Sequence, residues 1–177
     1  MRKALYFGSF NPVHYGHVSI AEYAASMPEV DAVIIIPSPH NPFKDKSILA
    51  DPQARLRQVR EAFKGISPKI TVSDIEYRLP EPLYTINTLH AIQKEFPSDE
   101  LILLIGADNI ASLEKWYHGK DILREFRIWV YPRKGFDGAA FCGQYDGQPG
   151  IRGVRFLVGA PLLDISSTEI RNSRHSK

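Results

Sequence analysis

Six apolar runs of three to five residues punctuate this 177-residue chain: Ala4 to Phe7, Ala32 to Ile36, Ile70 to Val72, Leu101 to Ile105, Ile128 to Tyr131 and Val154 to Val158. They are too short for helices and rich in β-branched residues, so they read as strands. Most lack the strict polar–apolar alternation of a strand with one wet face. Uniformly apolar strands belong to a parallel sheet covered on both sides, and this restricts the possible folds more than any other property of the chain.

Helical stretches fill the gaps. His17 to Met27 places Val18, Ala21 and Ala25 on one side. Pro52 to Lys64 opens with Asp51 as a cap and Pro52 at the first helical position. Thr85 to Phe96 carries Ile86, Leu89 and Ile92 and stops before Pro97. Strand–helix alternation implies right-handed crossovers and a doubly wound, Rossmann-like α/β fold, with a mostly parallel sheet and helices on both faces. One domain over residues 1–177 is expected, without repeats or linkers. Arg133 to Arg152, rich in glycine, reads as a surface loop.

Ligands of such sheets sit beyond the carboxyl ends of the strands. Four segments that follow predicted strands are therefore the candidates: GSFNPVHYGH from Gly8, IPSPHNPFK from Ile36, IGADN from Ile105 and the LLDISST turn before Glu169. In the first, Gly8 and Ser9 let the backbone pass close to a ligand, and His14 and His17 project to one side of a helix start. Imidazole N–H groups there suit a phosphate whose charge shifts during transfer. One capping and one packed histidine would explain the pattern without a ligand, and a zinc pair is a third, weaker reading. Ser166-Ser167-Thr168-Glu169 has the form of a capping box, with Arg171 one turn on, placed to cover a pocket at the helix start. Asp108 follows Gly106 and suits a ribose contact, the orienting of hydrated magnesium, or a helix cap. Trp116 and Tyr117 are adjacent, so both cannot face one core; one of them belongs at a surface or pocket.

Twenty-two basic against twenty acidic residues leave a net charge of +2, which argues against a broad nucleic-acid-binding face. The single cysteine, Cys142, excludes an intrachain disulfide and a multi-cysteine zinc site. Met1-Arg2-Lys3 has the look of a signal start, but the apolar run breaks at Gly8 and Asn11-Pro12 follows. No export signal and no membrane span are expected, and a cytoplasmic protein is.

GxFxPxHxGH with a late ISSTxxR is the pattern of the nucleotidyltransferase superfamily. The chain matches it at Gly8 to His17 and Ile165 to Arg171. Within it the chain resembles the bacterial nicotinate-nucleotide adenylyltransferases, through IPSPHNPFK (Ile36 to Lys44), LYTINTL (Leu83 to Leu89) and IGADNIASLEKW (Ile105 to Trp116) in the family's order. One departure is NPFK where PPHK is commoner; Lys44 aligns, the histidine does not.

The resemblance implies transfer of AMP from ATP to nicotinate mononucleotide, giving deamido-NAD and pyrophosphate, with Mg²⁺ held mainly by the ATP phosphates and no protein nucleophile or metal ligand. It puts catalysis on His14, His17 and Arg171. ATP contacts fall on Gly8, Ser9, Phe10, His14, His17, Gly106, Asp108, Ile165, Ser166, Ser167 and Arg171. Acceptor contacts fall on Lys44, Thr85, Trp116 and Tyr117: the tryptophan stacks on the pyridine ring, and amides at Thr85 and Tyr117 hold its carboxylate. Nicotinamide mononucleotide or phosphopantetheine as acceptor, or nucleotide binding without catalysis, are the alternatives. ATP and nicotinate mononucleotide are the expected partners, with no nucleic acid or membrane; homo-oligomerisation stays open.

Overall fold

All six apolar runs form strands of one parallel sheet in the computed structural model, which describes residues 1–40, 50–163 and 166–175. The strands are β1 (Arg2–Gly8), β2 (Ala32–Pro37), β3 (Ile70–Val72), β4 (Glu100–Gly106), β5 (Arg127–Tyr131) and β6 (Val154–Phe156), in the order β3-β2-β1-β4-β5-β6. The connecting helices are α1 (Tyr15–Ser26), α2 (Pro52–Phe63), α3 (Ile75–Arg78), α4 (Thr85–Glu95), α5 (Ala107–Ile110), α6 (Gly119–Glu125) and α7 (Gly138–Gly143); α8 (Ser167–His175) follows β6. Chain order reverses at β1, which pairs in parallel with both β2 and β4. The crevice beyond the carboxyl ends of β1 and β4 is thus the switch point of a doubly wound sheet.

The missing alternation has its cause in two cores. Leu5, Leu101, Leu103 and Ile105 pack on one face with Ile86, Leu89 and Ile92 of α4. Ala4, Tyr6, Ile102 and Leu104 pack on the other with Ile20, Ala21 and Ala24 of α1 and Val59 and Phe63 of α2. Each fully buried aliphatic side chain contributes about 1.5–3 kcal/mol, so neither face could be polar without large loss. The start of α2 is as expected, with Pro52 in the first turn and the Asp51 carboxylate accepting from the Ala54 amide at 2.8 Å.

Two expectations are corrected. Arg133 to Arg152 is not all surface loop: it contains α7, started by Asp137, whose carboxylate accepts from the Ala140 amide at 3.1 Å. The helix packs so closely that a Cβ on Gly138 would lie 2.4 Å from the Phe156 ring, and Cys142 and Tyr145 join the core. Of the glycines that suggested a loop here, Gly138 serves close packing, while Gly135, Gly147 and Gly150 take positive φ in open turns. The last strand ends at Phe156, where its pairing with β5 ends, rather than at Val158, which is 82% exposed. Among the described residues, no helix is long and apolar enough to cross a membrane.

Candidate active site

The Gly8 turn is built around a buried aromatic ring. Phe10 is 2% exposed and takes φ +47°, a left-handed conformation that costs a non-glycine residue of order 1–3 kcal/mol unless its surroundings hold it. Its ring is held edge-on by Tyr6 at 5.7 Å and His17 at 4.8 Å. A Cβ on Gly8 would meet that ring at 3.0 Å, so this glycine serves the packing of the turn. Beside it the Ser9 hydroxyl is buried with no hydrogen-bond partner in the described structure.

His14 and His17 both take part in a helix cap, the explanation that the sequence offers without a ligand. His14 is the N-cap of α1: its Nδ1 accepts from the Gly16 amide at 3.1 Å, and His17 Nδ1 accepts in return from the His14 amide at 3.1 Å. Two histidines thus form a capping box usually made by serine and glutamate. A neutral imidazole that accepts at Nδ1 carries its proton on Nε2. The cap therefore fixes the tautomer of both rings and leaves each with an Nε2–H donor. The rings lie 3.8 Å apart, and burial, helped by Arg133, lowers the His14 pKa below the ordinary value. Both effects favour neutral donors.

The C-terminal helix α8 closes this turn from above. The Ser166 hydroxyl caps it, accepting from the Glu169 amide at 3.2 Å. The Ser167 hydroxyl donates to the Pro12 carbonyl at 2.8 Å; Arg171 donates to the Asn11 carbonyl and, at 3.0 Å, to Thr168 Oγ1. The two ends of the sequence thereby share one polar cleft of about 300 Å³, walled by Gly8, Ser9, Phe10, His14, His17, Asp108, Ser166, Ser167 and Arg171. Asp108 reaches it from α5 and does not cap that helix. Gly106 lies outside the wall, but a Cβ there would meet Asp108 Oδ1 at 2.4 Å, so its bareness admits the carboxylate.

A second cavity of about 290 Å³ adjoins the first and shares Ser9 and Asp108 with it. Thr85 and Trp116 line it. Thr85 opens α4, whose start has no side-chain cap. Trp116 also packs on the core. Tyr117 does not line this cavity; its ring is 48% exposed and stacks on Tyr84 at 4.3 Å. Lys44 and Ile165 lie outside the described residues.

The sequence reading missed several wall residues, Arg133, Ser38 and Glu76 among them. Arg133 borders the first cleft with its Nε 3.7 Å from Asp108 Oδ1. Its signal was its position, directly after β5 on the ligand side of the sheet. Ser38 and Glu76 line the second cavity; Ser38 lies in the candidate segment from Ile36 without being singled out there, and no motif marks Glu76. The described residues contain no group of three or more His, Cys, Asp or Glu able to hold a metal, and among them Asp108 is the only carboxylate on the first cleft. This lining is compatible with a divalent cation carried by the phosphates of a ligand.

A polar cleft over the switch point of a parallel sheet, closed by two capped helix starts, is a nucleotide-binding architecture. The chain belongs to the cytidylyltransferase-like family, whose model matches residues 5–173, and within it to the nicotinate-nucleotide adenylyltransferases. A protein of Flavobacterium psychrophilum named probable nicotinate-nucleotide adenylyltransferase is 42% identical over 177 residues, 100% of this chain and 88% of that one. One of Bacteroides fragilis with the same name is 37% identical over 97% of this chain and 81% of its own length. The solved nicotinic acid mononucleotide adenylyltransferase of Plasmodium falciparum, complexed with NaAD, superimposes with a TM-score of 0.79 over 97% of this chain and 82% of that one. At 17% identity that likeness concerns the fold alone.

Proposed function

We propose that this enzyme transfers AMP from ATP to nicotinate mononucleotide, giving deamido-NAD and pyrophosphate. The observation that carries it is the meeting of the histidine turn and α8 in one cleft that opens into the Trp116 cavity. The first cleft suits a triphosphate, the second a pyridine nucleotide, and their shared wall brings the reacting groups together. A phosphate oxygen of the mononucleotide attacks the α-phosphorus; a new P–O bond forms as the bond to the β-phosphate breaks, and pyrophosphate departs. Such a reaction needs positioning and charge stabilisation rather than a protein nucleophile.

In this reading the Nε2–H groups of His14 and His17 donate to the α-phosphate, assisted by the backbone from Gly8 to Phe10. Gly106 lets Asp108 reach the ribose hydroxyls. Ser166, the Ser167 amide and the remaining N–H groups of Arg171 hold the departing pyrophosphate. The Ser167 hydroxyl already donates to the Pro12 carbonyl and so serves the closure of the cleft. Mg²⁺ would be held by the phosphates and water, supplying neutralisation of the leaving group. Lys44 would add a cation near the acceptor phosphate. The chain is read as a single domain acting in the cytoplasm.

The test is pyrophosphate release from ATP with each candidate mononucleotide. Nicotinate mononucleotide is expected to exceed nicotinamide mononucleotide by at least about tenfold in kcat/KM, about 1.4 kcal/mol, because the amide of Thr85, in the cavity wall at the start of α4, meets a carboxylate as a donor to an acceptor. Equal efficiencies would exclude that placement. Trp116→Ala is expected to weaken acceptor binding by roughly 1–3 kcal/mol, the size of a base–aromatic stack, with the KM for ATP nearly unchanged. Trp116 touches the core as well, so circular dichroism of the variant is the control: an unfolded protein would show its main role to be packing.

A further inference from the structure

Among the described residues Glu76 is the one buried acid, 3% exposed, and it forms part of the wall of the second cavity beside Thr85 and Trp116. One of its carboxyl oxygens is fixed: Thr88 Oγ1, fully buried on α4, donates to Oε1 at 2.8 Å. The other, Oε2, is buried with no hydrogen-bond partner in the described structure. The Ser38 hydroxyl stands beside the carboxyl and also 3.1 Å from the His40 carbonyl, so its single proton serves one or the other. A buried polar atom without a partner calls for a cause, and a cavity at that atom offers one: the partner arrives with the ligand. We infer that Glu76 is a specificity-determining contact of the acceptor cavity, selecting between a pyridine ring that bears a carboxylate and one that bears a carboxamide; this rests on the adenylyl-transfer reading above.

The chemistry follows from which form of the carboxyl faces the ring. Burial raises the Glu76 pKa, opposed in part by the Ser38 and Thr88 hydroxyls. No ion pair to Glu76 occurs among the described residues. Its helix neighbour Tyr77 donates away to the Pro52 carbonyl at 2.7 Å. Across the cavity, Asp108 lies 3.7 Å from Arg133. The neutral acid can donate its O–H to a ring carboxylate. Once ionised, it repels that carboxylate and accepts instead from a carboxamide NH₂. The neutral form prevails below the raised pKa and is lost as pH climbs through it, so the carboxylate preference is strongest at low pH.

The experiment measures kcat/KM for nicotinate and nicotinamide mononucleotides from about pH 5.5 to about pH 8.5, in wild type and Glu76→Gln. The acceptor phosphate and His14 also titrate, but they act on both acceptors and cancel in the ratio. The wild-type ratio is expected to fall by at least about tenfold with rising pH. In Glu76→Gln, where Thr88 can still donate to the amide oxygen, the ratio is expected to stay flat, with the melting temperature near that of wild type. A flat wild-type ratio overturns the inference even if the variant fails to fold, and so does an unchanged pH dependence in a folded variant. Turnover of neither mononucleotide would overturn the adenylyl-transfer reading and this inference with it; turnover with a flat ratio overturns the inference alone.

Discussion

Replacing His17 by alanine is expected to lower kcat by at least about a hundredfold with a much smaller change in ATP affinity. Loss of one preorganised donor to developing charge costs roughly 2.7–4 kcal/mol of transition-state stabilisation. In the function proposed above His17 is such a donor, because its Nδ1 accepts from the His14 amide, which holds its proton on Nε2. The same bond means that the substitution also weakens the cap of α1, by about 1 kcal/mol. In a protein of this size that is a fall of about 2–4 °C in melting temperature. The two consequences separate cleanly: the cap alone would lower the melting temperature and leave turnover per folded molecule intact. His14→Ala should behave similarly. With the two rings 3.8 Å apart, the double variant should be less impaired than the two effects added. Steady-state pyrophosphate release and thermal unfolding of the three variants decide it. Wild-type kcat in a folded His17→Ala protein would remove the histidine from the mechanism.

The second large effect is expected from a residue outside both cavities. Arg55, on α2, is 1% exposed and donates to four carbonyls, those of Ala50, Ser9, Ser38 and Pro39, at 2.7–3.0 Å. It therefore ties the turns after β1 and β2 together from beneath. Burial lowers the pKa of its guanidinium, but carbonyl dipoles on several sides replace the lost water. Arg55→Ala leaves those carbonyls without a donor, at about 1–3 kcal/mol for each that water cannot reach. A total loss of at least about 3 kcal/mol is expected, lowering the melting temperature by about 6–12 °C. Arg55→Lys should recover only part of it, since an ammonium cannot span the same fork. A variant melting within about 2 °C of wild type would show the two turns to be held by other means.

What the sequence made legible was whatever depends on local pattern. Each strand was marked by an apolar run, because burial on both sheet faces leaves no room for polar residues, and the α2 start was marked by Asp51-Pro52. The candidate residues that the structure brings together, from Gly8 to Arg171, were marked by glycine, histidine and hydroxyl spacing at strand ends. What stayed hidden depends on distant partners. Arg55 looks like any helix arginine until the turns holding Ser9 and Pro39 lie over it. Glu76 has the composition of an exposed short helix and becomes a wall residue only when α4 brings Thr88 to its carboxyl. The α7 helix was masked by glycines, and only Phe156 packed against Gly138 explains why one of them must be there. Capping and phosphate binding at His14 and His17 need not exclude one another, since the cap occupies only one ring nitrogen of each.

The bonds from Ser167 and Arg171 to the carbonyls of Pro12 and Asn11 join residues 155 and 160 positions apart. Contacts of such separation form late, because nearly the whole chain must be ordered before they repay the closure of so long a loop. During synthesis the histidine turn leaves the ribosome early and α8 leaves after every strand has been made. The nascent chain therefore carries its imidazoles long before it has a closed cleft, and in the function proposed above it can grip triphosphate only when the sheet beneath is complete. Competence for chemistry becomes a report on finished folding.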